Sequence, residues 1–460
     1  MQLGARSALH DDRVAALLTA LASAPLKREP DLDWAGLYSS GIQCSPYVGP
    51  VEARLLEGRG LGLVTSRPVQ AGELLLLEEA WATSRSCGAA SSAALPELTE
   101  ACMQKLASAQ INEQALFWSL HGQASASGTK AWQNPQLRLA IFQKYLCQMN
   151  DGSEGTDVKL PALPDRQLRN SVTSIVASNS RRSETWNSLT LLLDETQALG
   201  GLWFAASLFN HSCCANVTLS YGWSKDRRII LVARAAVDLA QDEELMDTYV
   251  YPFETVVERR RRLQTYGFCC SCNRCSVEAP LAAEAGKLAD LLEVELQSLS
   301  ALRGRGGKAS EMTEVVGRIR KALNKVCTTA QQLSPSEQPL WRAQFVWGFH
   351  GLAMAAQDAG IFQQAVEAFQ TCTDLAALIA PSSEYELKYH MMLTQCRARQ
   401  ALSTPPRSLA KDTATVLKEG LRRAEEAHNR HYGGGGRHFL SRMQKRLQDF
   451  HAALRHCATR

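Results

Sequence analysis

Three cysteines in the second half of the chain have the spacing of metal ligands. Cys270, Cys272 and Cys275 form a Cys-x-Cys-x-x-Cys segment. In structural sites, Zn²⁺ takes four soft ligands in a tetrahedron, with Zn–S distances near ~2.3 Å. Three thiolates from one short segment leave one coordination position for another part of the chain. The alternative is a set of buried or redox-active thiols, and the tight spacing favours zinc.

A polar segment, Asn-His-Ser-Cys at 210–213, directly follows the apolar run 202–209. An amide, an imidazole, a hydroxyl and a thiol at the end of such a run are typical of a functional site. A single histidine there is also compatible with a buried core residue whose hydrogen bonds are satisfied. Two further segments follow, the acidic stretch 243–249 that ends at Tyr249, and Phe268 just before the cysteines.

In this order and spacing, these segments resemble the SET domain of protein lysine methyltransferases. The similarity is greatest to the subfamily that usually carries a MYND zinc finger. An earlier turn, Gly58-Arg59-Gly60, resembles the Gly-x-Gly turn that opens this domain, although a plain hairpin turn has the same pattern. Asn187 begins Asn-Ser-Leu-Thr, similar to the family's Asn-Ser-Phe-Thr, and a helix-capping asparagine is the alternative.

The resemblance implies a closed structural metal site. It places one Zn²⁺ on four cysteines: Cys213, Cys270, Cys272 and Cys275. Cys214 and Cys269 are direct neighbours in the sequence and are not expected to be ligands.

The resemblance also implies that S-adenosylmethionine is the cofactor. Its sulfonium, amino-acid head and adenine suit carbonyl oxygens, asparagine side chains and aromatic faces. The residues implied to bind it are Gly58, Arg59, Gly60, Asn187, Asn210, His211, Tyr249 and Phe268. Tyr249 is the expected catalytic residue, beside the transferring methyl group. Tyr251 and Phe253 could wall the channel, but we expect both to be ordinary core residues.

The MYND finger itself is expected to be missing. In the MYND-bearing subfamily it lies early in the stretch that corresponds to 81–170. This stretch offers only Cys87, Cys102, Cys147 and His121. These residues are too few to supply the ligands of that finger, so its role in partner binding is not carried over.

We predict an α+β fold, with a β-rich SET domain split by a helical insertion and an all-α C-terminal domain. The predicted parts are an N-terminal helical extension (1–50), the first part of the SET domain (51–80), a helical insertion (81–186), the core SET domain (187–266), a cysteine-rich post-SET zinc loop (267–280) and a TPR-like helical domain (281–460). Within that last domain, small and large residues over 352–369 are spaced as in a tetratricopeptide helix pair, without a clean ~34-residue repeat.

Length and composition set broad limits. A chain of 460 residues predicts two or three domains, and 45% hydrophobic with 21% charged residues is typical of a globular protein. The net charge of +4 argues against a dedicated nucleic-acid binder. The basic run 259–262 has the composition of a nuclear-localisation or nucleic-acid patch. We favour the alternative, the solvated face of a short helix. No apolar run approaches ~18 residues, so we expect no membrane span. We also expect no secretory signal. The protein is expected to be a monomer in the cytoplasm or the nucleus.

The sequence therefore predicts methyl transfer from S-adenosylmethionine to the ε-amine of a lysine in a protein substrate, histone or non-histone. The alternative is a non-catalytic SET-fold scaffold that binds protein partners through its helical C-terminal domain.

Overall fold

The computed structural model describes residues 30, 33–38, 40–43, 45–85, 94–122, 130–151, 169–183, 199–405, 408–442 and 447–458. The chain divides into two compact units. The first unit comprises Met1–Asn210, Asn216–Asp247 and Arg430–Gly434, and the second comprises His211–Ala215, Thr248–Asn429 and Gly435–Arg460. Most of the N-terminal helical extension predicted over 1–50 lies outside the described residues, as does the site residue Asn187.

The first unit contains three small sheets. Their strands are β1 (Tyr47–Val48), β2 (Val51–Leu56), β3 (Gly60–Thr65), β4 (Leu74–Glu79), β5 (Ala82–Arg85), β6 (Arg181–Ser183), β7 (Leu199–Leu202), β8 (Asn210–His211, whose second residue belongs to the second unit), β9 (Val217–Trp223), β10 (Ile229–Ala235) and β11 (Glu244–Asp247). The sheet orders are β1-β4-β10-β9, β2-β3-β11-β8 and β5-β7-β6.

The inner strand β10 of the first sheet is apolar except for Arg234. All seven residues of β10 are buried, and the strand pairs antiparallel with β4 on one side and β9 on the other. A strand covered on both faces is expected to read as a continuous hydrophobic run, and the β-branched Ile-Ile-Leu-Val start of β10 does so. Strands β9 and β10 form an antiparallel hairpin.

The first unit has five α-helices among its described residues, four of them within the predicted helical insertion. They are α1 (Trp34–Leu37), α2 (Ala94–Ser108), α3 (Ile111–Trp118), α4 (Pro135–Asp151) and α5 (Arg169–Asn179). The stretch 81–186, predicted as helical, also contributes β5 and β6, which pair with β7 on either side. These strands of three or four residues are too short to show an alternating pattern.

The second unit is helical. Its helices are α6 (Val256–Leu263), α7 (Asn273–Glu278), α8 (Ala282–Gly304), α9 (Ala309–Ala330), α10 (Gln338–Ala343), α11 (Val346–Asp358), α12 (Phe362–Ile379), α13 (Glu384–Ser403), α14 (Thr413–Tyr432, whose last residues belong to the first unit), α15 (Gly436–Arg442) and α16 (Gln448–Ala458). Segment 267–280, predicted as a loop, contains α7.

Packing in the second unit follows helical spacing. The buried residues of α8 recur every three, four or seven positions, which places them on one face of the helix. α11 packs on α12, and α12 on α13. This arrangement of successive helices agrees with the predicted TPR-like region. The last part of the predicted helical domain contains α15 and α16, and residues 443–446 between them lie outside the described residues.

No helix in the described part of the chain is both long and apolar enough to span a membrane.

Candidate functional site

The second unit brings four cysteine sulfurs together. The Sγ atoms of Cys213, Cys270, Cys272 and Cys275 all lie within 4.8 Å of one another. The Cys213 sulfur is 3.9 Å from that of Cys270 and 3.5 Å from that of Cys275. A tetrahedral site with Zn–S bonds of ~2.3 Å has sulfurs roughly 3.8 Å apart, so these spacings suit a metal. All four cysteines are free thiols.

Hydrogen bonds among the clustered thiols shift their pKa values in opposite directions. Hydrogen bonding with neighbouring thiols, above all with Cys213, lowers the pKa of the Cys270 thiol below its ordinary value. The same hydrogen bonds raise the pKa of the Cys213 thiol, because the proton is shared within the group. Among the described residues, no other group of three or more His, Cys, Asp or Glu side chains is arranged to hold a metal. Neither Cys214 nor Cys269 belongs to this cluster.

His211 connects the cysteine cluster to Tyr249. The backbone N–H of Tyr249 donates to His211 Nδ1 at 3.0 Å, so the Nδ1 atom must carry the lone pair. In the neutral ring the proton is then on Nε2, which lies 3.3 Å from Cys213 Sγ. The imidazole is therefore oriented to donate a hydrogen bond to that sulfur. A donor aimed at a cysteine sulfur is the arrangement expected when the sulfur is a thiolate ligand.

Arg259 departs from the sequence-based interpretation. The run 259–262 was expected to be a solvated face, but the Arg259 side chain is 0% exposed. Its Nε donates to Cys213 Sγ at 3.3 Å and its Nη2 to Cys275 Sγ at 3.7 Å. Burial, the largest single influence, lowers the pKa of Arg259, but the charges of Glu278, Cys213 and Cys275 and the hydrogen bond to Glu278 together raise that pKa above the ordinary value. Arg261 and Arg262 do face solvent and pair with Glu258.

In the first unit, the glycine turn is exposed and left-handed. Gly58 and Gly60 have φ angles of 67° and 75°, which L side chains rarely adopt, and neither position is crowded. The turn joins β2 to β3, which pair from Leu56 opposite Gly60. Between the two glycines, Arg59 extends its Nε to within 3.3 Å of a carboxylate oxygen of Glu244.

Asn210 is held by the same carboxylate. Its Nδ2 donates to Glu244 Oε1 at 3.0 Å and to the Leu61 carbonyl at 3.4 Å. With both N–H groups used, the amide has its acceptor oxygen left to offer a ligand. A Cβ on Gly62 would lie 2.8 Å from Asn210 Nδ2, so the glycine makes room for this amide.

Aromatic rings in the second unit surround Tyr249. The Tyr249 ring centroid lies 5.1 Å from that of Tyr266, 5.2 Å from that of His211 and 6.4 Å from that of Phe268. Phe268 is 37% exposed, an unusual position for a large apolar ring and a favourable one for stacking against a ligand.

Tyr251 and Phe253 have different environments. Phe253 is fully buried in the helical core, as expected, whereas Tyr251 is 40% exposed and is therefore not a core residue. Both rings make edge contacts with Tyr385, at centroid distances of 5.2 Å for Phe253 and 5.6 Å for Tyr251.

Comparison with protein families decides what this arrangement belongs to. Residues 60–250 match the model of the SET domain, and no MYND domain was matched. This chain contains a SET domain. The matched residues include Asn210, His211, Cys213 and Tyr249, while the other three clustered cysteines follow the SET domain.

The SET-domain chain is also similar to curated methyltransferases. It is 26% identical over 325 residues to a "Methyltransferase" of Gibberella zeae, covering 67% of this chain and 41% of that protein. It is 28% identical over 155 residues to the human "N-lysine methyltransferase SMYD2", covering 33% of this chain and 31% of the relative. It is 38% identical over 86 residues to the "Histone-lysine N-methyltransferase SET5" of Candida glabrata, covering 18% of this chain and 16% of the relative. The chain thus spans less than half of the length of each of these relatives.

Several residues around the SET-domain site were not identified from the sequence. Glu244, which contacts Asn210 and Arg59, stands beside the equally acidic Glu243, and nothing in the pattern separates the two. Arg259 was hidden in a run of four arginines. The position of Arg259 along the helix could have identified it as buried, because Val256, Arg259 and Leu263 share the buried face of α6.

Proposed function

We propose that this chain transfers the methyl group of S-adenosylmethionine to the ε-amine of a lysine in a protein substrate. The observation that carries the proposal is the SET-domain match over residues 60–250, which includes Asn210, His211 and Tyr249. The names of the relatives, N-lysine and histone-lysine methyltransferases, support a protein lysine as the acceptor, in a histone or another protein. The names of the relatives also support a location in the nucleus or the cytoplasm. The relatives do not favour the non-catalytic scaffold.

The donor-binding residues are proposed from the resemblance to the family. They are Gly58, Arg59, Gly60, Asn187, Asn210, His211, Tyr249 and Phe268. Support within the first unit comes from Asn210, whose amide is fixed by Glu244 with its acceptor oxygen available to an ammonium group. Support within the second unit comes from Phe268, whose ring is partly exposed. The bound donor supplies an electrophilic methyl group and a positive sulfonium.

Tyr249 is proposed as the catalytic residue, and its role is to orient the lysine amine. Lysine has an ordinary pKa of about 10.4, so deprotonation at neutral pH costs roughly 4 kcal/mol. A nearby positive charge and apolar walls both lower that pKa, so no dedicated base is required. The backbone of Tyr249 is held by His211, which limits the freedom of the residue. Most of the rate acceleration then comes from positioning.

The four cysteines Cys213, Cys270, Cys272 and Cys275 fit one structural Zn²⁺. The sulfur spacing suits a tetrahedral site, and the buried donors His211 and Arg259 both face Cys213 Sγ. Four thiolates fill the coordination sphere, so such a site stabilises the fold and has no open position for catalysis.

Two measurements test the proposal. Calorimetry on zinc-loaded protein is expected to show binding of S-adenosylmethionine, and no binding would exclude a methyltransferase. Radiolabelled methyl transfer to proteins of a cell extract is then compared between wild type, Tyr249→Phe and the control Tyr38→Phe. Tyr38 donates or accepts one hydrogen bond with Ser220 in the first unit.

The catalytic role of Tyr249 predicts roughly a hundredfold loss of rate in Tyr249→Phe and little change in Tyr38→Phe. Equal labelling by wild type and Tyr249→Phe would remove Tyr249 from its assigned role. Donor binding without labelling by any of the three proteins would favour the scaffold.

A further inference from the structure

A buried network of charged side chains adjoins the cysteine cluster. Arg259, Arg274 and Glu278 each have fully buried side chains. Glu278 accepts from Arg259 Nη2 through one carboxylate oxygen and from Arg274 Nε, at 2.7 Å, through the other. Arg274 Nη1 also donates to the carbonyl oxygens of Cys213, at 3.4 Å, and Pro252. The network therefore holds both the sulfur and the backbone of Cys213.

The charges of this network do not balance by themselves. Two guanidinium groups and one carboxylate leave a net charge of +1 in the protein interior. The carboxylate of Glu254 forms its ion pair with Arg262, at 2.7 Å, and acts on Arg259 only through a longer-range charge interaction; its backbone carbonyl accepts from Arg259 Nη1 at 2.5 Å. An unbalanced buried charge is expensive, and one that persists is normally paired with an opposite charge.

The sulfurs can supply that opposite charge. A Zn²⁺ ion with four thiolates carries a net charge of −2, and Arg259 donates to two of the four sulfurs. Hydrogen bonds and charges just outside a metal's ligands orient those ligands and tune the affinity for the metal. An ordinary salt bridge between Arg259 and Glu278 would need neither the sulfur contacts nor a second buried arginine.

We propose that Arg259 is a positioning residue for the cysteine-bound zinc, and that its fixed positive charge, shared with Arg274 through Glu278, retains the metal. This inference rests on the zinc site of the proposed function and is independent of methyl transfer. Neutralising Arg259 leaves the thiolates without their charge partner and without the hydrogen bonds to two of the sulfurs, so the zinc passes more easily to a chelator.

The experiment compares three variants of the full chain with wild type. Arg259→Met removes the charge and keeps the length of the side chain, and Arg259→Lys keeps the charge. Arg261→Met, on the same helix, is the matched control because Arg261 is exposed and pairs only with Glu258 among the described residues. The first readout is the rate of zinc release to a chromophoric chelator. The second is the sulfur-to-metal charge-transfer band of the cobalt-loaded protein.

Arg259→Met is expected to release zinc about tenfold faster or more. Its cobalt band is expected at longer wavelength, because sulfur electrons no longer stabilised by a nearby cation are transferred more easily. Arg261→Met should match wild type, and Arg259→Lys should lie closer to wild type than to Arg259→Met. Unchanged release and an unchanged band in Arg259→Met would overturn the inference, as would Arg259→Lys behaving like Arg259→Met.

Glu278→Gln provides a test that does not depend on the folding of Arg259→Met. This change leaves two guanidinium charges unopposed beside the thiolates. The charge argument therefore expects zinc release no faster than in wild type and a cobalt band at shorter wavelength. Faster release from Glu278→Gln would contradict it and indicate a packing role. Wild-type protein without zinc would overturn both this inference and the proposed metal site, whereas labelled methyl transfer tests the enzyme separately.

Discussion

At the scale of single residues, Cys213 and His211 connect the proposed metal site to Tyr249. Cys213 Sγ faces the other cysteines and His211 Nε2, and His211 Nδ1 accepts from the backbone of Tyr249. A change at the metal should therefore reach the residue proposed to orient the lysine. All of these contacts lie within the second unit.

Replacement of Cys213 by serine is predicted to abolish zinc binding and donor binding together. The matched control is Cys214→Ser, because Cys214 is the adjacent cysteine and lies outside the cluster. Metal analysis is expected to find about one zinc per chain in wild type and Cys214→Ser and none in Cys213→Ser, with calorimetry giving the same order for S-adenosylmethionine. Loss of zinc with donor binding intact would break the proposed link.

Glu244 provides a second prediction for single residues. Glu244→Leu removes the acceptor that holds the Asn210 amide and the partner of Arg59, so the donor-binding side chains lose their fixed orientation. The loss of one or two hydrogen bonds corresponds to roughly a tenfold weaker affinity for S-adenosylmethionine. Calorimetry checks this, with Glu243→Leu as the neighbouring control. Equal affinities in the two variants would show that Glu244 does not position Asn210.

Residue types and spacing predict the cysteine cluster of the candidate site. The four cysteines selected by the resemblance are the four that the structure brings together, although their role as zinc ligands stays a prediction. Arg259 and Glu278 could not be selected, because their importance comes from burial and from mutual contact across helices α6 and α7. The donor-binding and catalytic assignments also stay predictions, and Asn187 lies outside the described residues.

At the scale of secondary-structure elements, helix α11 contains a histidine that is unfavourable to protonate. Burial, assisted by the charges of Lys388 and Arg303, lowers the pKa of His350 to about 4. Its ring lies 6.1 Å from that of Phe369 and 5.9 Å from that of Tyr389, and its buried Nδ1 has no hydrogen-bond partner among the described residues. The neutral imidazole of His350 is therefore stable at this buried position, and the charged imidazolium is not.

This histidine predicts a pH dependence of stability. In the unfolded chain His350 has an ordinary pKa near ~6.5, so between pH 6.5 and 4 the unfolded state binds more protons. The contribution of neutral His350 to the free energy of unfolding is present above pH 6.5 and is lost as the pH falls towards 4. At pH 5 the loss is roughly 2 kcal/mol.

Urea unfolding of wild type, His350→Phe and the exposed-histidine control His451→Phe at pH 7 and pH 5 checks this prediction. His350→Phe should lose less stability between the two pH values than the other two proteins. The same loss in all three would show that His350 does not contribute.

Elements with a strong period are predictable, and those defined by distant pairing are not. Helices α2, α3 and α4 and the hairpin β9–β10 each have a clear pattern within one segment. Strands β5, β6 and β7 are short, and two of them include glycine or arginine pairs, so only their partners make them strands. Helix α7 lies inside the segment 267–280, which is predicted as a loop because its cysteines have the spacing of metal ligands.

At the scale of the whole molecule, the two units are interleaved along the chain. Residues 211–215 belong to the second unit although the residues on both sides belong to the first. Periodicity and composition describe neighbouring residues and carry no information about which unit a short segment joins. The domain boundaries proposed from the sequence remain predictions, as do partners of the helical domain and the monomeric state. The SET domain and the helical character of the C-terminal region are established.

The central claim is that the acceptor of the methyl group is a lysine ε-amine. The direct measurement is to incubate zinc-loaded protein with extract proteins and S-adenosylmethionine labelled in the methyl group, hydrolyse the labelled proteins with acid and separate the amino acids. We predict that the label is recovered as ε-N-methylated lysine, and that Tyr249→Phe yields roughly a hundredfold less of it per unit time. Label recovered in another amino acid, or none above a protein-free control, would contradict the claim.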